Sequence, residues 1–257
     1  MKTIKDIDYA GTGLNEHKLD VYLPDCEKAP VFIFFHGGGI EAGTKSEEAF
    51  TNPLIPLQEK GVAVVSADYR LYPDAKFPEF VEDAAMAVKW VYENIRSYIE
   101  PAGIFISGTS AGAYISELLA FDKKYLAKHG IDSDSVTGYI FDAGQPTTHF
   151  NVLRERGMNP DRIVVDESAP MYHITDGRVY PPMQIFVSDN DIPGRYEQTL
   201  LLVHTLKHFG CKDDDVEFYY MKGYSHCQYL VEMQPDGTNL FSDKAYEFIK
   251  KHTEREK

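Results

Sequence analysis

Unbroken apolar runs recur along the chain and predict the strands of a buried sheet. Runs of this kind are typical of strands that are covered on both faces, as in parallel sheets. We expect such strands at residues 31–35, 62–67, 104–107, 139–141, 184–187 and 216–221. Two short segments, residues 4–9 and 17–22, flank a turn that contains Gly11 and Gly13, and they predict an antiparallel hairpin at the start of the chain.

Helical patterns lie between these runs. Apolar residues between positions 81 and 95 recur at the i, i+3, i+4, i+7 spacing of one buried helix face. Further helices are expected at residues 110–128, 196–209 and 243–251. Strands that alternate with helices predict an α/β fold, with a mostly parallel central sheet and helices on both faces. At 257 residues, such a chain is expected to form one domain over residues 1–257.

Residues 144–182 interrupt this alternation. The stretch is rich in proline and carries charged residues between the prolines. Because a loop of this length inside a compact domain is usually functional, we expect a lid or a pocket wall here. Its candidate contact residues are His149, Phe150, Met171 and Tyr172.

The net charge and the composition argue against some classes of binding partner. The net charge of −14 argues against nucleic acid, whose phosphates need neutralising Lys and Arg, and against an anionic membrane surface. No apolar run has the length of a signal peptide core or a membrane span, and the three cysteines are widely spaced, as free thiols would be. These features predict a cytoplasmic protein. They leave its oligomeric state open.

The sequence Gly-Thr-Ser-Ala-Gly at residues 108–112 is a G-x-S-x-G motif. It follows a predicted strand and opens a predicted helix, which is the setting in which this motif presents a nucleophilic serine. The glycines allow strand and helix to approach closely, so that Ser110 stands above the strand ends. A serine hydroxyl is a weak nucleophile alone and needs a neighbouring base. Ser110 is therefore the candidate nucleophile.

The sequence His-Gly-Gly-Gly at residues 36–39 ends the first buried strand. Open α/β sheets place their ligand crevice at this end of the strands. Glycines leave backbone N–H groups unobstructed, so the loop and the N–H of Ala111 are expected to stabilise a developing oxyanion. His36 itself is expected to brace the loop.

His226 follows the last predicted strand, where the base falls in the chain order Ser, acid, His. The acid is expected just after residues 184–187. Asp191 lies further into that loop and so nearer the crevice than Asp189, and Asp142 at the end of the preceding strand is a third candidate. The other histidines need different explanations, and His17, His129, His208 and His252 are expected at the surface.

Several segments taken together resemble the hormone-sensitive-lipase-like and bacterial acetyl/feruloyl esterase branch of the α/β-hydrolases. They are the motifs at residues 36–39 and 108–112, the Gly-Thr-Lys at residues 43–45, the segment Asp-Tyr-Arg-Leu-Tyr-Pro-Asp-Ala-Lys-Phe-Pro at residues 68–78, and Asp83. They occur in the family's order from about residue 17 to residue 230. The chain departs from the family pattern at Ile40, Asp74 and Ala113, which bears on the shape of the pocket.

The resemblance implies the α/β-hydrolase fold and hydrolysis of a small-molecule carboxylic ester, without a metal or an organic cofactor. It implies Ser110 as nucleophile, His226 as base and Asp191 as acid. It also implies Gly38, Gly39 and Ala111 as the oxyanion donors. The chain is most similar to the small acetyl-esterase members, so the expected substrates are short-chain acyl esters, including acetylated sugars or xylan fragments.

Two other functions remain open. An amidase similar to kynurenine formamidase uses the same fold and residues, although such relatives carry an aromatic residue where Gly39 stands. A binding protein without catalytic activity on the same scaffold is the third possibility. The presence of Ser110, His226 and candidate acids argues against it.

Overall fold

The computed structural model describes residues 1–255 and contains one eight-stranded sheet. Its strands are β1 (Lys2–Asp8), β2 (Lys18–Leu23), β3 (Lys28–Phe35), β4 (Ala63–Ala67), β5 (Glu100–Thr109), β6 (Gly138–Asp142), β7 (Met183–Asn190) and β8 (Val216–Ser225). The spatial order is β1-β2-β4-β3-β5-β6-β7-β8. Strands β1 and β2 are antiparallel to their neighbours, and β3 to β8 run parallel. The predicted α/β class is confirmed.

Helices cover both faces of this sheet. They are α1 (Glu48–Thr51), α2 (Ile55–Glu59), α3 (Glu79–Asn94), α4 (Ala111–Phe121), α5 (Lys124–Ala127), α6 (Phe150–Glu155), α7 (Arg195–His208), α8 (Gln228–Val231) and α9 (Leu240–Arg255). Short 3-10 helices lie in the connections, at Asn15–His17, Asn52–Leu54, Ile95–Ser97, Ser133–Ser135, Pro170–His173 and Asp213–Asp215. No helix within residues 1–255 is long and apolar enough to span a membrane.

The central strands are apolar throughout because each contributes to two cores. In β3, Val31, Ile33 and Phe35 pack in one hydrophobic cluster with α3, α4 and α7. The alternate residues Phe32 and Phe34 pack in a second cluster with α2, α8 and α9. Successive side chains of a strand point to opposite faces, so a strand covered on both faces needs an unbroken apolar run.

The observed elements differ from the predicted ones mainly at their ends. Strand β7 reaches Asn190, three residues beyond the predicted end, and β5 and β8 are also longer than their apolar cores. The helix expected at residues 110–128 is interrupted after Phe121, where Asp122 has an extended backbone. The stretch 144–182 contains α6, which its sequence did not predict.

Two histidines expected at the surface are buried instead. His17 is 4% exposed and lies 3.2 Å from the Asp83 carboxylate, while His252 on α9 is 3% exposed. Single histidines in polar surroundings look alike in sequence. Only the fold shows that His17 lies between Thr12 and Asp83.

Candidate active site

Ser110 lies at the sharp turn between β5 and α4. Its backbone angles are φ 52 and ψ −111, a combination that costs energy for a residue with a side chain. The N–H of Ser110 donates to the carbonyl of Asp142, 2.7 Å away on the neighbouring strand β6. This hydrogen bond and the start of α4 hold the turn, and they place Ser110 at the carboxyl edge of the sheet.

The two motif glycines are required by close approaches of the backbone. A Cβ on Gly108 would lie 2.2 Å from the carbonyl carbon of Gly112. A Cβ on Gly112 would lie 2.0 Å from the carbonyl oxygen of Phe35 at the end of β3. Strand β5, helix α4 and strand β3 therefore pack at distances that only glycine permits. The sequence expectation for these two glycines matches this geometry.

Ser110, His226 and Asp191 form a chain of hydrogen bonds. The Nε2 atom of His226 lies 2.8 Å from Oγ of Ser110, and its Nδ1 atom lies 2.6 Å from Oδ1 of Asp191. Since an ionised carboxylate can only accept, Nδ1 donates and Nε2 is left to accept the Ser110 proton. The structure thus brings together the three residues that the sequence named, although they are far apart in the chain.

The surroundings of Asp191 keep it ionised. Its side chain is only 1% exposed, and this burial opposes the charged form. The hydrogen bond with His226, the N–H of Ile192 at 2.7 Å and the charge of Arg195 outweigh burial and hold the pKa of Asp191 below its usual value. A carboxylate that stays charged at neutral pH can orient His226 and stabilise its protonated form.

The two competing acids have other partners. Asp189 lies inside β7, and its Oδ1 accepts from the N–H of Gly223 on β8 at 2.8 Å. Asp142 accepts from the hydroxyls of Thr109 and Tyr229, and burial raises its pKa to about 6 despite these bonds. Strand β7 is longer than its apolar run, so Asp191 rather than Asp189 is the first residue beyond it.

The glycine loop lies beside Ser110. A Cβ on Gly37 would lie 3.4 Å from Cβ of Ser110, and Gly38 adopts φ 110. Among the described residues, the N–H groups of Gly38, Gly39 and Ala111 donate to no carbonyl or side chain. Three backbone donors without an acceptor next to a serine hydroxyl are suited to bind a negatively charged oxygen.

His36 braces this loop, as its sequence position suggested. Its Nδ1 lies 2.7 Å from the carbonyl of Gly37, and its ring stacks on Tyr69 with centroids 4.5 Å apart. The hydroxyl of Tyr69 donates to the carbonyl of His36 at 2.8 Å. Burial lowers the pKa of His36 to about 4, so the ring is neutral at pH 7. A neutral, buried ring is a structural support and not a proton carrier.

The segments at residues 43–45 and 68–78 contact each other and, through Tyr69, the start of the glycine loop. The N–H of Lys45 donates to Asp68 at 2.6 Å, and its ammonium group pairs with Asp20 at 2.7 Å. Arg70 makes a two-pronged ion pair with Asp83, with both N···O distances at 2.8 Å. These residues carried the family resemblance. Their contacts with Asp20 on β2 and Asp83 on α3 make them structural supports.

Sequence reasoning missed Asn151 on α6. Its amide nitrogen donates to the carbonyl of Gly39 at 2.6 Å and ties the stretch 144–182 to the glycine loop. The side chain of Phe150 lies on the same loop, 3.2 Å from where a Cβ of Gly39 would be. Nothing in the local sequence marks Asn151, because its contact spans 112 residues along the chain.

A cavity of about 470 Å³ opens between the stretch 144–182 and the residues after Asp191, and Ser110, His226 and Gly39 are not among the described residues that line it. One wall comes from the stretch 144–182, including Phe150, and the other from the residues that follow Asp191, including Ile192 and Arg195. His149, Met171 and Tyr172 do not line it, and Tyr172 is 57% exposed. The volume is within the range of small-molecule sites.

Comparison with known proteins gives a family match over most of the chain. The model of the BD-FAE family matches residues 19–206, a span that includes Ser110 and Asp191 and ends before His226. The matched span therefore contains strands β2 to β7 and the helices between them.

Curated relatives match a shorter part of this chain. A kynurenine formamidase of Danio rerio is 33% identical over 120 residues, which is 46% of this chain and 39% of the relative. The esterase LipI of Mycobacterium tuberculosis is 38% identical over 98 residues, which is 38% of this chain and 30% of the relative. The chain thus spans less than half the length of these relatives.

The fold itself has solved counterparts. A truncated carbohydrate esterase from gut microbiota superposes with a TM-score of 0.77 and 18% sequence identity, over 98% of this chain and 96% of that one. At this level of identity the likeness concerns the fold, which is that of the α/β-hydrolases.

Proposed function

Because this chain belongs to the BD-FAE family, we propose that it is a serine carboxylesterase that acts on short-chain acyl esters. The observation that carries the proposal is the chain of hydrogen bonds from Asp191 through His226 to Ser110, at 2.6 and 2.8 Å. A hydroxyl in contact with an oriented imidazole is an activated nucleophile.

The proposed reaction has two halves. His226 takes the proton of Ser110 as the oxygen attacks the ester carbonyl carbon, and the alcohol leaves with that proton. Water then attacks the acyl-enzyme and gives its proton to His226, and the carboxylic acid leaves as Ser110 regains its proton. The N–H groups of Gly38, Gly39 and Ala111 stabilise the oxyanion of each tetrahedral intermediate.

We further propose that residues 1–257 form one domain in which residues 144–182 wall the substrate pocket. The position of Phe150 and Asn151 against Gly39 supports this, since it joins the stretch to the proposed oxyanion donors. A pocket wall built on this contact would set which acyl or alcohol groups reach Ser110.

The test is a labelling and turnover experiment. A fluorophosphonate probe should label the wild-type protein and not the Ser110→Ala variant. A series of 4-nitrophenyl esters of increasing acyl length, with acetylated xylo-oligosaccharides alongside, should show turnover highest for the short acyl groups. Absence of both labelling and turnover would favour a binding protein without catalytic activity.

An amidase is the second candidate, because a kynurenine formamidase is among the relatives. Both reactions pass through an acyl-enzyme, so the Ser110 contacts alone do not separate them. Comparing kcat/KM for 4-nitrophenyl acetate with that for N-formylkynurenine decides the matter. Faster hydrolysis of the formamide would replace the esterase proposal.

A further inference from the structure

Three cations line the cavity between the stretch 144–182 and the residues after Asp191. Arg154, Arg162 and Arg195 all contribute to its wall, and Asp161 is the only acidic residue among the described residues that line it. The protein as a whole carries a net charge of −14. The electrostatic potential in this cavity is therefore expected to be positive, although the protein as a whole is negatively charged. A positive potential favours the binding of negatively charged ligands.

Arg195 is the most unusual of the three. It is 3% exposed, and its guanidinium donates to two neutral acceptors, the carbonyl of Ala143 at 2.5 Å and Oε1 of Gln145 at 3.1 Å. Among residues 1–253, whose side chains the structure describes, no carboxylate forms an ion pair with it. Burying a guanidinium without a direct anionic partner is costly, so such a group at a cavity wall is suited to receive an anion.

Glu117 does not neutralise this arginine. It lies fully buried on α4, and burial raises its pKa to about 8, against the opposing charge of Arg195. At pH 7 it is therefore largely protonated. The charge of Asp191 favours the cation of Arg195, but the two side chains form no ion pair; Oδ1 of Asp191 accepts from His226 and from the N–H of Ile192, and its Oδ2 has no hydrogen-bond partner among the described residues.

Two further hydrogen-bond donors, Arg162 and Gln198, line the cavity. Arg162 is exposed and forms no ion pair with any of the described side chains, whereas Arg154 is already paired with Glu41. Gln198 accepts from Thr147 through its amide oxygen at 2.6 Å, and among the described residues its amide nitrogen has no acceptor. The cavity thus offers hydrogen-bond donors and positive charge, with few acceptors.

We propose that this cavity binds a carboxylate carried by the ester substrate, whose reacting carbonyl lies at Ser110. Arg162 and Arg195 bind the carboxylate, since the planar guanidinium matches its geometry. Phe150 and Ile192 contact the hydrocarbon that joins the carboxylate to the ester. This inference rests on the proposed function, and it narrows the substrates to esters with an acidic group.

The test uses pairs of esters that differ only in charge. For the acyl side, the pair is 4-nitrophenyl hydrogen adipate and its terminal amide. For the alcohol side, it is 4-acetoxybenzoate and 4-acetoxybenzamide. We expect kcat/KM to be at least about tenfold higher for the carboxylate in one of the pairs, the usual strength of a charged hydrogen bond. The pair that shows the preference identifies which side of the ester enters the cavity.

Variants connect the preference to the cavity. Arg162→Gln should reduce the ratio of the two kcat/KM values about tenfold, because it removes an exposed cation with little risk to folding. Arg195→Lys keeps the positive charge but loses the planar guanidinium group, so it should also reduce the ratio of the two kcat/KM values. Arg96→Gln is the matched control. Arg96 pairs with Glu100 at the start of β5, at the end of the sheet opposite to Ser110, and the ratio should not change.

A binding measurement keeps this inference separate from the proposed function. Calorimetry of the Ser110→Ala variant with 4-acetoxybenzoate should show tighter binding than with 4-acetoxybenzamide, and adding Arg162→Gln should abolish the difference. That result supports the carboxylate site even if wild-type protein neither hydrolyses esters nor reacts with the fluorophosphonate. Equal rates and equal binding for both members of each pair would overturn the inference, while turnover of the neutral esters would leave the esterase proposal intact.

Discussion

At the scale of single residues, the site depends on which carboxylate contacts His226. The sequence named Asp191, Asp189 and Asp142 and favoured Asp191 by its place in the loop. The deciding feature is the length of β7, which continues to Asn190 and turns Asp189 towards Gly223. Local residues do not encode that length, because it comes from pairing with β8, where Asn190 lies opposite Ser225.

We expect Asp191→Asn to lower kcat about 10⁴-fold, because an amide in this place favours the wrong imidazole tautomer. Asp189→Asn is the matched control. Asp189 contacts the backbone of β8 and not His226, so kcat should fall less than about tenfold. Steady-state kinetics on 4-nitrophenyl acetate measures both. Equal losses in the two variants would show that Asp191 is not the acid.

Ser110→Ala should lower kcat by about 10⁵–10⁶-fold, since a nucleophile and its base act as one unit. The variant loses one hydroxyl and keeps the hydrogen bond from the N–H of residue 110 to the carbonyl of Asp142, so we expect the fold to persist. Circular dichroism and thermal unfolding check the fold, and an ester assay checks turnover. Activity above a few per cent of wild type would end the serine-nucleophile interpretation.

At the scale of elements, the glycines of the motif at residues 108–112 allow a tight turn and also close packing of β5, α4 and β3. The sequence predicted strand, turn and helix here because an apolar strand, two glycines and an amphipathic helix follow one another. It also predicted that Gly108 and Gly112 lack side chains for a steric reason. It did not show that the obstacle for Gly112 is the backbone of β3, because no local pattern records which strand lies beside the turn.

Gly112→Ala should therefore destabilise the protein by about 3 kcal/mol or more, because the new methyl group meets the Phe35 carbonyl and backbone does not yield easily. Gly11→Ala serves as the comparison. Gly11 has φ 69 with open space around it, so only the backbone preference is lost, at about 1 kcal/mol. Urea unfolding of both variants measures the difference. Similar costs would mean that α4 shifts away from β3 without penalty.

For the stretch 144–182, the sequence predicted a role in the pocket but not the local structure. Its length and prolines predicted a pocket wall, but not α6, whose six residues carry too short a pattern to be recognised. Phe150 and Tyr172 were equally good candidates for ligand contact in the sequence. In the structure Phe150 lines the cavity beside Gly39, and Tyr172 is largely exposed elsewhere.

Phe150→Ala should change the order of preference among 4-nitrophenyl esters of different acyl length, because it enlarges the cavity next to the glycine loop. Tyr172→Ala should leave that order as in wild type. The ratios of kcat/KM across the ester series measure both effects, and loss of uniform binding contacts appears in KM alone. An unchanged order in Phe150→Ala would mean that the cavity does not hold the acyl group.

At the scale of the whole molecule, buried carboxyl groups divide into two sets with opposite effects of pH. Burial raises the pKa of Glu117 to about 8 and those of Asp142 and Asp68 to about 6. Such groups titrate near 4 in an unfolded chain, so they hold more protons when folded. Their contribution to stability is complete below the unfolded pKa and is lost as the pH rises through the folded pKa.

Asp191 and Asp166 act in the other direction. Burial opposes their ionisation, but the hydrogen bonds that they accept hold both pKa values below the usual range. Their contribution is present above the unfolded pKa and is lost as the pH falls through the folded pKa. The net charge of −14 at pH 7 also becomes smaller as carboxyl groups take up protons, which weakens repulsion within the folded state.

For these carboxyl groups the free energy of unfolding should therefore be greatest between about pH 4 and 5, near their unfolded pKa values, and should decrease on both sides. Glu117 makes the largest contribution to the decrease at alkaline pH, because its pKa is raised furthest and its Oε2 has no hydrogen-bond partner among the described residues.

The Glu117→Gln variant replaces this carboxyl group with a neutral group of similar shape. We expect a gain on the order of 2 kcal/mol at pH 8 and almost none at pH 5. Urea unfolding at pH 5, 6.5 and 8 measures this, with the exposed Glu93→Gln as the control for the substitution itself. A gain of the same size at pH 5 and pH 8 would mean that the benefit comes from packing and not from the titration of Glu117.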